Sequence, residues 1–298
     1  MEGKVLFFEG KNATISTPSG NVLCQIRGKI KCDKNGIMVG DNVIVGDTDL
    51  VIEQVKERKN QLIRPKVSNI DQILICVSCA PPADLMLVDK LIISAKQNKI
   101  DAVLVITKND ILDEIFIEDI KNQYKDLGIK IISLSAKTED NLKTLKTILK
   151  NKTSALAGQS GVGKSSLINA ILNLNIKTNE LIKKEIRGKN TTTASFLYKV
   201  DKNSFIIDTP GFCTMNLELK NAEDILMLYE DIYKYALGCK YKSCNHIDKT
   251  KDECGVMRAL EEGKINKNRL DRLIKFYKTE SGKRIIHTKG IKGGRKNV

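Results

Sequence analysis

Short apolar runs broken by turn residues fill the first 66 positions: VLFFE, NATIST, NVLCQIRG, GIMVGDNVIVG and DLVIEQVKER, separated by Gly, Asn, Asp and Pro. Runs of this length and punctuation predict five short strands. Five strands in so short a stretch predict a small OB-like barrel. From Asp71 the texture changes. The apolar runs QILICVSCA, AVLVITKND, IKIISLSAK, TSALAGQSG and SFIIDTPG now alternate with LVDKLIISAKQN, FIEDIKNQYKDLG and EDNLKTLKTILKN, whose apolar residues recur at three- and four-residue spacing. Strands apolar throughout, alternating with amphipathic helices, predict a parallel sheet covered on both faces. From Asn221 onward the pattern is helical. AEDILMLYEDIYKYALG puts Ile225, Leu228, Tyr229, Ile232 and Ala236 on one stripe and stops at Gly238. VMRALEEGKINKNRLDRLIKFYKTE follows, and the basic stretch SGKRIIHTKGIKGGRKNV is expected to be a frayed tail. The expected division is a barrel at 1–66, an α/β domain at 67–218 and a helical domain at 219–298.

Composition narrows the partners. Fifty Lys and Arg against 36 Asp and Glu give a formal charge of +14 and a pI near 9.3. Such a balance favours a polyanionic partner, nucleic acid before membrane, because no basic amphipathic helix stands out. No run of 18 apolar residues appears, and MEGKVLFFEGKNA lacks the long apolar core and cleavage site of a signal peptide. A cytoplasmic monomer with no membrane contact is expected. Eight Cys in such a compartment point to packing or metal, not disulfides.

Chemistry concentrates where the parallel strands end, the edge at which ligands bind in such folds. Gly158, Gln159, Ser160, Gly161, Val162, Gly163, Lys164, Ser165 and Ser166 read G-x-x-x-x-G-K-S-S, between an apolar strand and an amphipathic helix. Glycines let the backbone approach a phosphate that a Cβ would block, and the successive N–H groups surround it at a helix N-terminus. Lys164 reaches the β- and γ-oxygens, and the Ser165 hydroxyl ligates Mg²⁺. In DTPG, Asp208 holds Mg²⁺ through water and the Gly211 N–H meets the γ-phosphate. In TKND, formed by Thr107, Lys108, Asn109 and Asp110, the Asp110 carboxylate accepts from both N1–H and N2–H₂ of guanine, and Lys108 lies along the base plane. Adenine offers no such donor pair, and unpaired polar groups in a site cost a competitor on the order of 10⁴-fold. The substrate is therefore GTP and the product GDP. In SAK, formed by Ser135, Ala136 and Lys137, the Ala136 N–H meets the guanine oxygen.

These motifs stand in an unusual order, with TKND and SAK before the phosphate loop. A sheet depends on which strands neighbour each other, not on which comes first, so the order predicts a circularly permuted P-loop GTPase. Downstream, Cys239, Cys244, His246 and Cys254 form C-x4-C-x-H-x7-C. Three thiolates and one imidazole suit a closed, structural Zn²⁺. The segment CKYKSCNHIDKTKDEC is too polar for these Cys to be core packing. Cys76 and Cys79 lie three apart in an apolar run and are read as packing; Cys24, Cys32, Cys213 and His287 carry no partner in sequence.

The combination resembles the RsgA-type ribosome small-subunit-dependent GTPases, over nearly the whole chain. The resemblance rests on a small barrel, RPKVSNIDQILICVS, the permuted order, GQSGVGKSS, GKNTTT, DTPGF and the Cys/His cluster. It implies an OB barrel, a permuted GTPase and a helical zinc domain acting late in 30S subunit maturation, with 16S rRNA near the decoding region as partner. It also implies Thr192 as the switch Mg²⁺ ligand, with Thr191 as the alternative. Two positions depart from the family pattern: Thr107 stands where Asn is usual, and Asn190 where the switch has His. Phe212 follows Gly211, where Ras-like enzymes have the Gln that orients water. A phenyl ring cannot do so, and hydrolysis is expected to be slow and dependent on a partner. Two other readings are an RNA-binding scaffold that GTP merely locks, and a permuted GTPase of the large subunit or of tRNA. The flanking domains speak against the second.

Overall fold

A computed structural model describes residues 1–32, 36–63, 65–111, 114–173, 195–208, 225–227, 229–241, 244–247 and 249–291; side chains 31, 32, 173 and 280–291 are outside that set. The N-terminal strands are β1 (Glu2–Glu9), β2 (Asn12–Thr17), β3 (Gly20–Ile26), β4 (Asn42–Val45) and β5 (Val51–Val55), with α1 (Gly28–Cys32) between β3 and β4. They close in the order β1-β2-β3-β5-β4, the closed Greek-key arrangement of an OB barrel. The period of two decides what is inside. On β3, Cys24 and Ile26 are buried while Leu23 and Gln25 face out. Val5, Ile15, Val43 and Ile52 complete the core.

A short hairpin, β6 (Gln61–Leu62) with β7 (Val67–Ser68), leads out of the barrel. Asp41 ties this joint. Its buried carboxylate takes two bonds from Arg58, Nε at 2.7 Å and Nη2 at 2.8 Å, one from Ser68 Oγ at 2.6 Å and one from the Met38 amide at 2.8 Å. A buried charge is tolerated when paired and hydrogen-bonded this fully.

The central sheet has six strands in the order β10-β9-β8-β11-β13-β12. These are β8 (Gln72–Val77), β9 (Asp101–Ile106), β10 (Lys130–Ser133), β11 (Thr153–Ala157), β12 (Phe196–Lys199) and β13 (Phe205–Asp208). Every residue of β8 and β11 is buried, as strands covered on both faces must be. Between the strands run α2 (Leu85–Gln97), α3 (Glu114–Tyr124), α4 (Leu142–Leu149) and α5 (Lys164–Asn173). The sheet is not wholly parallel. β12, absent from the sequence reading, pairs antiparallel with β13. Asp201 makes the turn, accepting from the amides of Asn203 and Ser204, each at 2.9 Å. The aromatic run FLYK before Asp-Lys-Asn-Ser was the available signal. β12 is also where the barrel meets the sheet: Phe7 of β1 stacks on Phe196 with centroids 4.4 Å apart.

The chain splits into two compact units, 1–117 with 129–216 and 118–128 with 217–298. In the second, the expected long stripe is interrupted. Residues 225–227 are helical, Tyr229 has ψ 66°, and α6 (Glu230–Ala236) starts only after it; Leu228 is outside the described residues. Then come α7 (Gly255–Glu261) and α8 (Lys267–Ile291). The backbone of the tail read as frayed is thus helical as far as Ile291. Arg269, 3% exposed, pairs with Asp231, and its guanidinium lies 5.2 Å from the Tyr124 ring centroid and 4.7 Å from that of Tyr229.

Candidate functional site

Parallel strands point their carboxyl ends at one edge, so β8, β9, β10, β11 and β13 bring TKND, SAK, the loop after β11 and Asp208 together. The loop from Gly158 to Gly163 is bent by its glycines, at φ +130° for Gly158, +82° for Gly161 and +96° for Gly163. At Gly158 the need is also steric. A Cβ there would lie 2.4 Å from the Cys76 carbonyl oxygen on the neighbouring strand. α5 begins at Lys164, so Lys164, Ser165 and Ser166 form its first turn, where unpaired N–H groups and the helix dipole favour an anion. Lys164 Nζ donates to the carbonyls of Gly158 and Gln159, both at 2.8 Å, and so lies across the loop. Gln159 in turn accepts from the Asp84 amide at 3.2 Å, tying the loop to the start of α2.

Asp208 closes the other side at the end of β13. Burial pushes its carboxyl above the usual range, and the Lys164 ammonium opposes that shift. A half-buried carboxylate is a hard oxygen donor of the kind that suits Mg²⁺ held in part through water, and the Ser165 hydroxyl in the first turn of α5 is a second such donor. Thr192, Thr191, Asn190, Gly211 and Phe212 lie outside the described residues.

The third side is a cavity of about 310 Å³ lined by Thr107, Lys108, Asp110, Ile111, Leu134, Ser135, Ala136, Lys137, Gly163, Ser166 and Leu167. Both sequence motifs and the start of α5 thus face one space. Asp110 Oδ1 accepts from Ser135 Oγ at 2.6 Å, and this bond above all holds the carboxyl below its usual range. The carboxylate therefore stays ionised as a two-oxygen acceptor. Ser135, fully buried, is itself held by the amides of Lys137 at 3.1 Å and Thr138 at 3.2 Å. Lys108, at φ +59°, crosses the loop and donates to the carbonyls of Ala80 at 2.7 Å and Gly161 at 2.8 Å. Asn109 does not line the cavity; its Nδ2 donates to Asp140.

Thr107 is placed against the phosphate loop. It is buried, and Oγ1 lies 2.5 Å from the Val162 carbonyl and 3.2 Å from that of Val77. A hydroxyl has one hydrogen, and the shorter contact sends it to Val162, so Thr107 does reach the phosphate loop.

In the second unit, Cys239, Cys244, His246 and Cys254 place their ligand atoms within 4.8 Å of one another. Cys239 Sγ lies 3.7 Å from Cys254 Sγ and 3.7 Å from His246 Nδ1, which is 3.4 Å from Cys254 Sγ. A tetrahedral zinc with bonds of about 2.3 Å to sulfur and about 2.0 Å to nitrogen has edges of roughly 3.5–3.8 Å, so this donor set fits the ion. His246 takes φ +59° to turn its Nδ1 into the cluster. The other cysteines follow the packing reading only in part. Cys24 and Cys76 are buried, the latter pushed up to about 12 by burial, whereas Cys79 sits beyond the end of β8 and is half-buried. Cys213 and the side chains of Cys32 and His287 are outside the described residues.

Residues 55–218 match the RsgA GTPase family model. The small ribosomal subunit biogenesis GTPase RsgA of Thermotoga neapolitana is 36% identical over 92% of this chain and 95% of its own length. That of Caldanaerobacter subterraneus is 35% identical over 86% of this chain and 87% of its own. The crystal structure of YjeQ from Thermotoga maritima superposes with a TM-score of 0.75 at 33% identity, covering 93% of this chain and 97% of that one. YloQ, described as a circularly permuted GTPase, gives 0.72 at 26% identity over 95% of both chains. With the family model matched over residues 55–218 and these relatives alike over most of their length, the chain belongs to the RsgA GTPase family, a family of GTP hydrolases.

Proposed function

We propose that this protein hydrolyses GTP to GDP and phosphate as a timer for binding to, and leaving, the 30S ribosomal subunit late in its maturation, contacting 16S rRNA near the decoding region. The observation that carries the nucleotide reading is the single cavity shared by Asp110, Lys108, Ala136 and the first turn of α5. Asp110 and Lys108 grip guanine, the Ala136 N–H meets its oxygen, and the loop from Gly158 to Ser166 grips the phosphates. Ser165, Asp208 and Thr192 hold Mg²⁺, which when bound with the nucleotide offsets charge on the β- and γ-phosphates. Gly211 senses the γ-phosphate. The four Cys/His ligands hold one structural Zn²⁺.

The ribosomal reading is supported by relatives named small ribosomal subunit biogenesis GTPases, matched over nearly their full length, and by the charge of +14. The protein acts as a monomer in the cytoplasm; among the described residues no helix is long and apolar enough to cross a membrane. Co-sedimentation with isolated 30S and 50S subunits tests the partner. With a nonhydrolysable GTP analogue the protein should pellet with 30S and not with 50S. Pelleting with 50S alone would refute the assignment.

A further inference from the structure

The loop joining the SAK segment to α4 takes a backbone that Asn141 adopts readily but Glu139 rarely does. Glu139 and Asn141 both sit in left-handed backbone, at φ +59° and +55°, with Asp140 between them. Side chains crowd their own backbone in that region, and such strain persists only where surrounding contacts hold it, most often at functional sites. Here the contacts run toward the guanine loops. Asn109 Nδ2 donates to Asp140 Oδ2, and the Asp140 carbonyl accepts from the Ser135 amide at 3.3 Å. Asn141 Nδ2 donates to the Ser133 carbonyl at 2.8 Å and also to Asp140 Oδ2 at 3.3 Å. Asn109 stands between Lys108 and Asp110, both of which line the cavity, while its own side chain faces away to Asp140.

We infer that Asp140 is a positioning residue for base recognition, acting through Asn109 to fix where Asp110 meets the base. The inference rests on Asp110 as the guanine acceptor. Asp110 is exposed, so its placement follows the backbone of its loop. Ser135 holds the carboxylate from one side, and the Asn109–Asp140 bond anchors the same loop from the other. Two simultaneous hydrogen bonds to N1–H and N2–H₂ tolerate little displacement. Loosening the anchor should cost most for a base that uses both.

Inosine diphosphate lacks the 2-amino group and supplies the comparison. GDP and IDP are titrated on the full-length, zinc-loaded chain and on Asp140→Ala, Asp140→Asn, Asn109→Ala and the Asp140→Ala/Asn109→Ala double variant. The unsubstituted chain should prefer GDP. Asp140→Ala should lower that preference about 3- to 10-fold, the size of one hydrogen bond, with IDP affinity changed less than about twofold. Asn109→Ala should do the same, and the double variant no worse than either single one. Asp140→Asn, whose amide oxygen still accepts from Asn109, should keep the preference. If the unsubstituted chain binds GDP and IDP equally, the guanine reading of Asp110 falls and this inference with it. If that chain discriminates and Asp140→Ala discriminates as well, or the two single losses add, Asp140 has no positioning role.

Discussion

At Asp110, the proposed guanine acceptor, the bond from Ser135 at 2.6 Å orients the carboxylate and holds its carboxyl below the usual range. Asp110→Asn exchanges two acceptors for an acceptor and a donor. Xanthine presents the complementary pattern, so the variant should lose GTP and gain XTP. On the order of 10²-fold or more in the ratio of the two affinities is expected for a site built around paired polar groups; unchanged GTP binding would remove Asp110 from the base site. That TKND, SAK and the start of α5 face one cavity follows from their places at the ends of parallel strands, which the spacing of the motifs made readable in the sequence. The bond from Thr107 to Val162 was not readable there, since it joins residues 55 positions apart. Asn109 was read with its neighbours as a nucleotide contact. Its turn toward Asp140 depends on two left-handed residues in a loop with no motif of its own.

The elements tell a similar story at a larger spacing. β8 and β11, buried throughout, read unambiguously as interior strands. β12 escaped because it is a four-residue edge strand whose identity depends on the partner beside it. Break and continuation along the C-terminal helices escaped too. The apolar stripe from Ile225 runs on in sequence, yet Tyr229 leaves helical geometry and its ring packs against Arg269. That guanidinium, buried with Asp231 and two Tyr rings, gives a stability prediction. Arg269→Ala leaves Asp231, whose side chain is only 10% exposed, without its ion-pair partner, which should cost up to about 3 kcal/mol in urea denaturation followed in the second unit. A loss under about 1 kcal/mol would mean that the pair is solvated and not structural. Gly158→Ala belongs to this scale as well. The clash with the Cys76 carbonyl and the φ of +130° should displace the loop between β11 and α5 and abolish tight nucleotide binding; retained GDP affinity would contradict the close approach.

Across the whole molecule, one compact unit holds the barrel and the permuted sheet, and a second holds the Cys/His cluster. Cys244→Ala removes one of the four proposed zinc donors. The variant should lose bound zinc and the thermal stability of the second unit while keeping GDP affinity; undiminished zinc content would take Cys244 out of the ligand set. The coarse plan was legible because barrel, parallel sheet and Cys/His spacing are patterns of period and composition. The order of motifs alone disclosed the permutation. The proposed function ties GTP hydrolysis here to the small ribosomal subunit. Single-turnover hydrolysis of GTP by the full-length protein, alone and with purified 30S or 50S subunits, addresses that claim most directly. Hydrolysis should be slow alone, with Phe212 in place of a water-orienting Gln, and should accelerate with 30S and not with 50S. Equal rates with both subunits, or acceleration by 50S alone, would contradict it.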